Sequence, residues 1–179
     1  MEIVFTASKG IPGKLIRYFT KRSWVGSARV SHTLLRYGKE DSKWIVESSI
    51  HGFAPNWWPI LLKKNIIYKR FEIIGIDEDI LENTIDEMIE EMIYKRYDVL
   101  AIVGFIISVI TYWRTGKKIK NFLGRSTAFS CSEAVYRIFQ KVKEKTDIAI
   151  FNEYDPETVF PEELLIDCES KPQFFKEIV

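Results

Sequence analysis

Cysteine is scarce in this chain. Cys131 and Cys168 are the only two in 179 residues, too few for a disulfide framework and without the C-x-x-C spacing of a zinc site. Charge of one sign is also missing. Twenty-six Lys and Arg stand against 25 Asp and Glu, which removes a general electrostatic case for nucleic acid. The start, Met1-Glu2-Ile3-Val4-Phe5, lacks the charged region and apolar core of a signal peptide, so a reducing, cytoplasmic setting is expected. No hydrophobic run reaches the about 20 residues that span a bilayer. The longest uncharged stretch, Val99 to Trp113, reads as a buried core helix capped by Asp98 and closed by Arg114, with interfacial membrane contact as the minority alternative. The chain shows no repeat, low-complexity tract or domain boundary, so residues 1–179 read as a single domain.

What is present is a globular composition, 46% hydrophobic and 14% aromatic, with enough chain to bury a core. Strand-like patterns occupy Glu2–Ala7, Val30–Tyr37, Trp44–Ser49 and Ile66–Ile76, with a hairpin-like turn at Gly38–Ser42. Lys14–Lys21 reads as a short helix. Asp77 caps a longer one whose apolar positions Leu81, Ile85, Met88, Ile89 and Met92 form one stripe, ended by Lys95 and Arg96. The tail carries Asp155-Pro156 and a helix started by Pro161. The expected class is α+β, a small antiparallel sheet with helices packed on it.

The chemistry centres on Ser130-Cys131-Ser132-Glu133. Ser130 and Glu133 have the spacing of a capping box, which puts Cys131 at the first position of a helix. Backbone amides there point outward unpaired and the helix dipole is positive, so a thiolate is favoured. Free cysteine is also a common core residue, and Cys131, Ala134, Val135, Ile138 and Val142 do share one helical stripe. The capped terminus is what separates Cys131 from that bland alternative. Cys168, between Asp167 and Glu169, reads as inert.

A thiol nucleophile needs a base and an orienting group. Strand alternation places His32 beside Val30 and Leu34, and Glu47 beside Ile45 and Ser49. A carboxylate on a half-buried face needs a partner, and the imidazole of a neighbouring strand is one. A satisfied core histidine and a lysine-paired surface glutamate are the ordinary alternatives. His51, beside Gly52, reads as a loop residue. On these patterns His32, Glu47 and Cys131 are expected in one interface between a sheet face and a helix.

The order of these motifs resembles the circularly permuted papain-like NlpC superfamily, especially its YiiX-like branch. The resemblance rests on Ser31-His32, then Ile45-Val46-Glu47-Ser48, Tyr97-Asp98-Val99-Leu100 and finally Cys131-Ser132-Glu133. It runs from about Glu2 to the Pro161 helix, and only the His and Cys motifs are distinctive. It implies Cys131 as nucleophile, His32 as base and Glu47 as the polar third residue, on a papain-like fold. The family cleaves amide, peptide or ester bonds, and its relatives include cell-wall peptidases and lipid acyltransferases. This chain departs from the wall enzymes in lacking a signal peptide and a wall-binding domain.

Acyl transfer through Cys131 needs no metal and no organic cofactor, and the backbone amides of Cys131 and Ser132 are the expected oxyanion donors. Trp57 and Trp58, in Gly52-Phe53-Ala54-Pro55-Asn56-Trp57-Trp58-Pro59, are candidates to line a pocket for an apolar or acyl group. Three functions stay open: a cysteine-dependent hydrolase, a lipid acyltransferase or lipid hydrolase at a membrane surface, and a catalytically silent binding module. The expected partner is an amide-, peptide- or ester-containing substrate.

Overall fold

A computed structural model describes residues 1–37, 43–49, 52–93, 96, 97, 99–117, 119 and 128–178. The expected hairpin turn at 38–42, and His51, Lys95 and Asp98, lie outside the described residues. Eight strands and six α-helices are present among the described residues. The strands are β1 (Glu2–Ser8), β2 (His32–Arg36), β3 (Trp44–Ser49), β4 (Gly52–Trp57), β5 (Asn65–Ile73), β6 (Arg96–Tyr97), β7 (Ala128–Phe129) and β8 (Phe175–Ile178). The helices are α1 (Ile11–Arg22), α2 (Trp58–Lys64), α3 (Glu78–Met92), α4 (Val99–Thr115), α5 (Cys131–Thr146) and α6 (Pro161–Ser170).

Six strands form one antiparallel sheet in the order β4-β3-β2-β1-β5-β8. A separate two-stranded pair, β6-β7, is parallel. The class is therefore α+β. Pro55 sits in β4, an edge strand, where its missing donor costs no ladder bond to a further neighbour.

Strand alternation divides the sheet into two apolar faces. Ile3, Phe5, Leu35, Val46 and Phe71 pack with Leu81, Ile85, Met88 and Met92 of α3 and with Ala134, Val135, Ile138 and Val142 of α5. Val4, Leu34 and Ile45 face the other way, against Leu61 and Trp58 of α2. Burying a side chain such as Val135 or Ile138 is worth about 1.5–3 kcal/mol. Several such residues fix α5 to the sheet far more firmly than a cap worth about 1 kcal/mol. Packing places the helix, and the cap sets where it starts.

Asp77 caps α3, its carboxylate accepting from the amides of Asp79 and Ile80. That helix ends at Met92 with no basic residue in its last turn, and Arg96 opens β6 instead. The uncharged stretch of α4 also departs from expectation. It packs against α1, burying Gly104, Ser108 and Val109, and leaves Val103, Ile110 and Trp113 exposed. No helix among the described residues is long and apolar enough to cross a membrane.

Candidate active site

The cysteine end of the site is built by α5. Ser130 Oγ accepts from the Glu133 amide at 3.2 Å, and Glu133 Oε2 accepts from the Ser130 amide at 3.4 Å, a complete capping box. Cys131 is thereby the first helical residue, 3% exposed. Burial and the neighbouring Glu157 push the Glu133 carboxyl up to about 7, against the Arg137 guanidinium that hydrogen-bonds to it. Ser132, next to the cysteine, donates to the Val159 carbonyl at 2.6 Å, tying the helix start to the chain ahead of α6.

The histidine end is built by β2. Ser31 Oγ accepts from the Ser8 amide at 2.9 Å and from Arg17 Nη1 at 3.2 Å. These bonds hold the residue ahead of His32 against β1 and α1. Gly13 makes the approach of α1 possible. A Cβ there would meet Ser8 Cβ at 2.5 Å and the Ser8 carbonyl at 3.0 Å.

His32 Nε2 donates to Glu47 Oε2 at 2.6 Å, with side-chain exposures of 14% and 8%. Glu47 Oε1 accepts from Asn56 Nδ2 at 2.7 Å. His32 also lies close enough to Cys131 for each to favour the other's charge, and with Nε2 engaged, Nδ1 is the nitrogen left for the sulfur. The three residues singled out from the sequence are thus in contact, and Asn56 extends them to a fourth.

They do not share one layer. His32 and Glu47 lie on the face of Leu34 and Ile45, whereas α5 covers the opposite face. Contact is possible because β2 and β3 pair only at Leu35–Val46 and Arg36–Ile45. Beyond that point the ladder stops, and the Thr33 amide is near enough to the Cys131 sulfur to favour its charge. The single-interface expectation fails because it assumed a continuous sheet. The site sits at a gap in the sheet.

The electrostatics follow from these contacts. Burial alone would raise the Cys131 thiol, but the His32 imidazolium and the amides of Thr33 and Ser132 outweigh it and hold the thiol below its ordinary value. For His32, burial opposes the cation, while the Cys131 thiolate and Glu47 raise its pKa to about 10. Glu47 stays below the usual carboxylate range: against burial, His32, Asn56 and Lys64 all favour its charge. All three groups are shifted toward their charged forms, thiolate, imidazolium and carboxylate. Cys168 is buried, and that burial, with Asp167 and Glu169 beside it, pushes its thiol well up.

The Ser132 amide, expected at an oxyanion, also favours the charge of the sulfur. Trp57 and Trp58 are not in the site. Trp57 meets Trp44 edge to face at 5.2 Å, and Trp58 lies under the Arg36 guanidinium. Their neighbours in sequence take the place expected of them. A cavity of about 240 Å³ is lined by His32 and Glu47, by Pro12, Gly13 and Ile16 of α1, and by Asn56, Ile60, Leu61 and Lys64. Cys131 is not among its lining residues.

Asn56 escaped the sequence reading because Gly52 and Pro55 made its segment look like a loop. Read as a strand, the segment puts Asn56 opposite Ile45, on the face of Glu47. Among the described residues no cluster of three His, Cys, Asp or Glu is placed to hold a metal ion. Comparison with protein-family models, with curated proteins and with solved structures finds no match to this chain.

Proposed function

We propose that this protein is a cysteine-dependent hydrolase of amide, peptide or ester bonds, on a permuted papain-like fold. The observation that carries the reading is His32, bonded to Glu47 and set beside a thiol whose pKa is depressed. Perturbed, mutually bonded nucleophile and base are the signature of an activated thiol.

In the proposed reaction the Cys131 thiolate attacks a carbonyl carbon, and the carbonyl electrons move onto oxygen. The Cys131 amide, in the first turn of α5 where helices offer no internal acceptor, faces the developing oxyanion. Protonated His32 gives its proton to the leaving nitrogen or oxygen as the tetrahedral species collapses to a thioester. Neutral His32 then takes a proton from water, whose hydroxide displaces the sulfur and releases the acid. Glu47 keeps its charge throughout, steadying the imidazolium and fixing its orientation. Asn56 steadies Glu47.

A thiol-directed acyl probe, followed by mass-spectrometric mapping, tests the reading. Labelling is expected at Cys131, and His32→Ala should suppress it. Labelling at Cys168 instead, or labelling indifferent to His32, would overturn the proposal.

A further inference from the structure

The near-neutral total of this chain conceals a sharp segregation of charge. Between Glu2 and Glu40 there are eight Lys and Arg and no acidic residue, and residues 99–132 hold five and none. These two stretches include α1 and α4, which pack against one another. Two acids of α6 bond to the chain that follows α1, and both are turned inward. Glu162 is fully buried, bonded to Ser27 and Arg29, and Glu163 is buried and accepts from Trp24.

The outward face of this helix pair is apolar. Ile11, Leu15 and Tyr18 form an exposed stripe at i, i+4, i+7 on α1, with Ile11 74% exposed. Val103, Ile110 and Trp113 do the same on α4. Arg22 joins the two, its guanidinium 3.7 Å from the Tyr18 ring centroid and 5.7 Å from that of Trp113. Lys14 and Lys21 flank the stripe, both exposed, and Arg114 stands beside Trp113.

From this we propose that the α1–α4 face docks the protein onto an anionic lipid bilayer. Exposed aliphatic and aromatic side chains interleaved with cations, and no acid among them, are what a helix lying in a membrane interface presents. A nucleic acid would answer the cations but leave Ile11, Leu15 and Val103 without a partner. The helices lie on the bilayer and do not cross it, since neither is long enough.

Docking has a consequence for access. Pro12, Gly13 and Ile16 of α1 also line the cavity that holds His32 and Glu47. The same helix therefore touches lipid on one side and the candidate site on the other. The docking proposal stands independently of the catalytic reading.

Co-sedimentation of the full chain with vesicles tests it. Binding is expected to phosphatidylcholine vesicles carrying phosphatidylserine, weak binding to phosphatidylcholine alone, and decline with added salt. Replacing Lys14 and Lys21 by Ala should weaken binding about five-fold per cation removed. Leu15→Glu with Trp113→Glu, both at exposed positions, should abolish it while circular dichroism stays unchanged. Cys131→Ala should bind like the parent, so loss of labelling and loss of docking are read separately. No binding to anionic vesicles, or binding indifferent to Leu15→Glu and Trp113→Glu, would overturn the proposal. So would a concentration-dependent dimer that these substitutions dissolve, since the face would then belong to a second copy.

Discussion

His32 Nε2 and Glu47 Oε2 lie 2.6 Å apart, although no ladder pair joins their strands beyond Leu35–Val46. The side chains bridge an opening that the backbones leave. A charge-assisted bond of this length, largely removed from water, is worth about 1.5–3 kcal/mol. It supplies some of what the missing ladder would have contributed.

Cys131 should therefore alkylate quickly at neutral pH, and Cys168 slowly. The Cys131 thiol is held below its ordinary value and the Cys168 thiol well above it. Iodoacetamide rates for each residue across pH, read by mass spectrometry, check this. His32→Ala removes the cation and leaves burial opposed only by the Thr33 and Ser132 amides, so the rise of the Cys131 rate should move to higher pH, toward the ordinary thiol value of ~8.5. Equal rates at the two cysteines would be inconsistent with an activated Cys131.

The stability linkage has a definite sign. His32 is raised from 6.5 to about 10 in the folded state. Its contribution is fully present below pH 6.5 and is lost as pH rises through about 10. Thermal melts of the parent against His32→Gln should show the difference in melting temperature shrinking over that window. A difference that grows with pH would mean the imidazole is buried neutral.

Glu47→Gln should keep the fold and lower turnover, by much less than Cys131→Ala does. The amide preserves shape and one hydrogen bond but cannot stabilise the imidazolium by charge. The His32 pKa, followed by proton NMR, should fall in the same variant. Full activity on a substrate that needs Cys131, with an unmoved His32 titration, would remove Glu47 from the triad.

Asn56→Ala should act through Glu47 and not on substrate. It removes the donor at Oε1, so the His32 titration should shift down, in the direction Glu47→Gln shifts it but less far. Asn56→Gln should restore part of the effect if its longer amide reaches the carboxylate. An activity loss with an unshifted His32 pKa would instead mark Asn56 as a substrate contact.

Gly13→Ala should destabilise the protein by about 1–3 kcal/mol, the cost of overpacking a close contact. The added methyl meets Ser8 Cβ and the Ser8 carbonyl, neither of which is a flexible side-chain end. A urea melt measures the loss. Because the Ser8 amide donates to Ser31 Oγ beside His32, thiol reactivity should fall with stability. An unchanged midpoint would mean that α1 shifts without cost.

Much of this molecule could be read before any coordinates. The capping box at Ser130 and Glu133, the Asp77 cap, β3, and the faces carrying His32 and Glu47 all follow from local spacing, and local spacing is what a sequence displays. β4 and α2 were hidden for local reasons too. Gly52 and Pro55 imitate a loop, and seven residues of α2 are too few to show a period. The position of Cys131 was hidden for a non-local reason. Nothing in the composition of β2 or β3 signals that their ladder stops after Leu35–Val46. The uncharged run of α4 shows only part of its pattern in sequence, since Gly104, Ser108 and Val109 are buried while Val103, Ile110 and Trp113 are exposed, and an unbroken apolar run does not display which face is which.

The opening between β2 and β3 leaves the Thr33 amide near enough to the Cys131 sulfur to favour its charge. A backbone proton is thereby made into a sensor of the sulfur's charge. While Cys131 is a thiolate, the Thr33 proton is held by an anion and its exchange with solvent is slowed. Once the sulfur is acylated or alkylated, that acceptor is neutral and the proton exchanges sooner. The resonance of Thr33 would report the occupancy of the site in the absence of any chromogenic substrate, from a residue that takes no part in bond making.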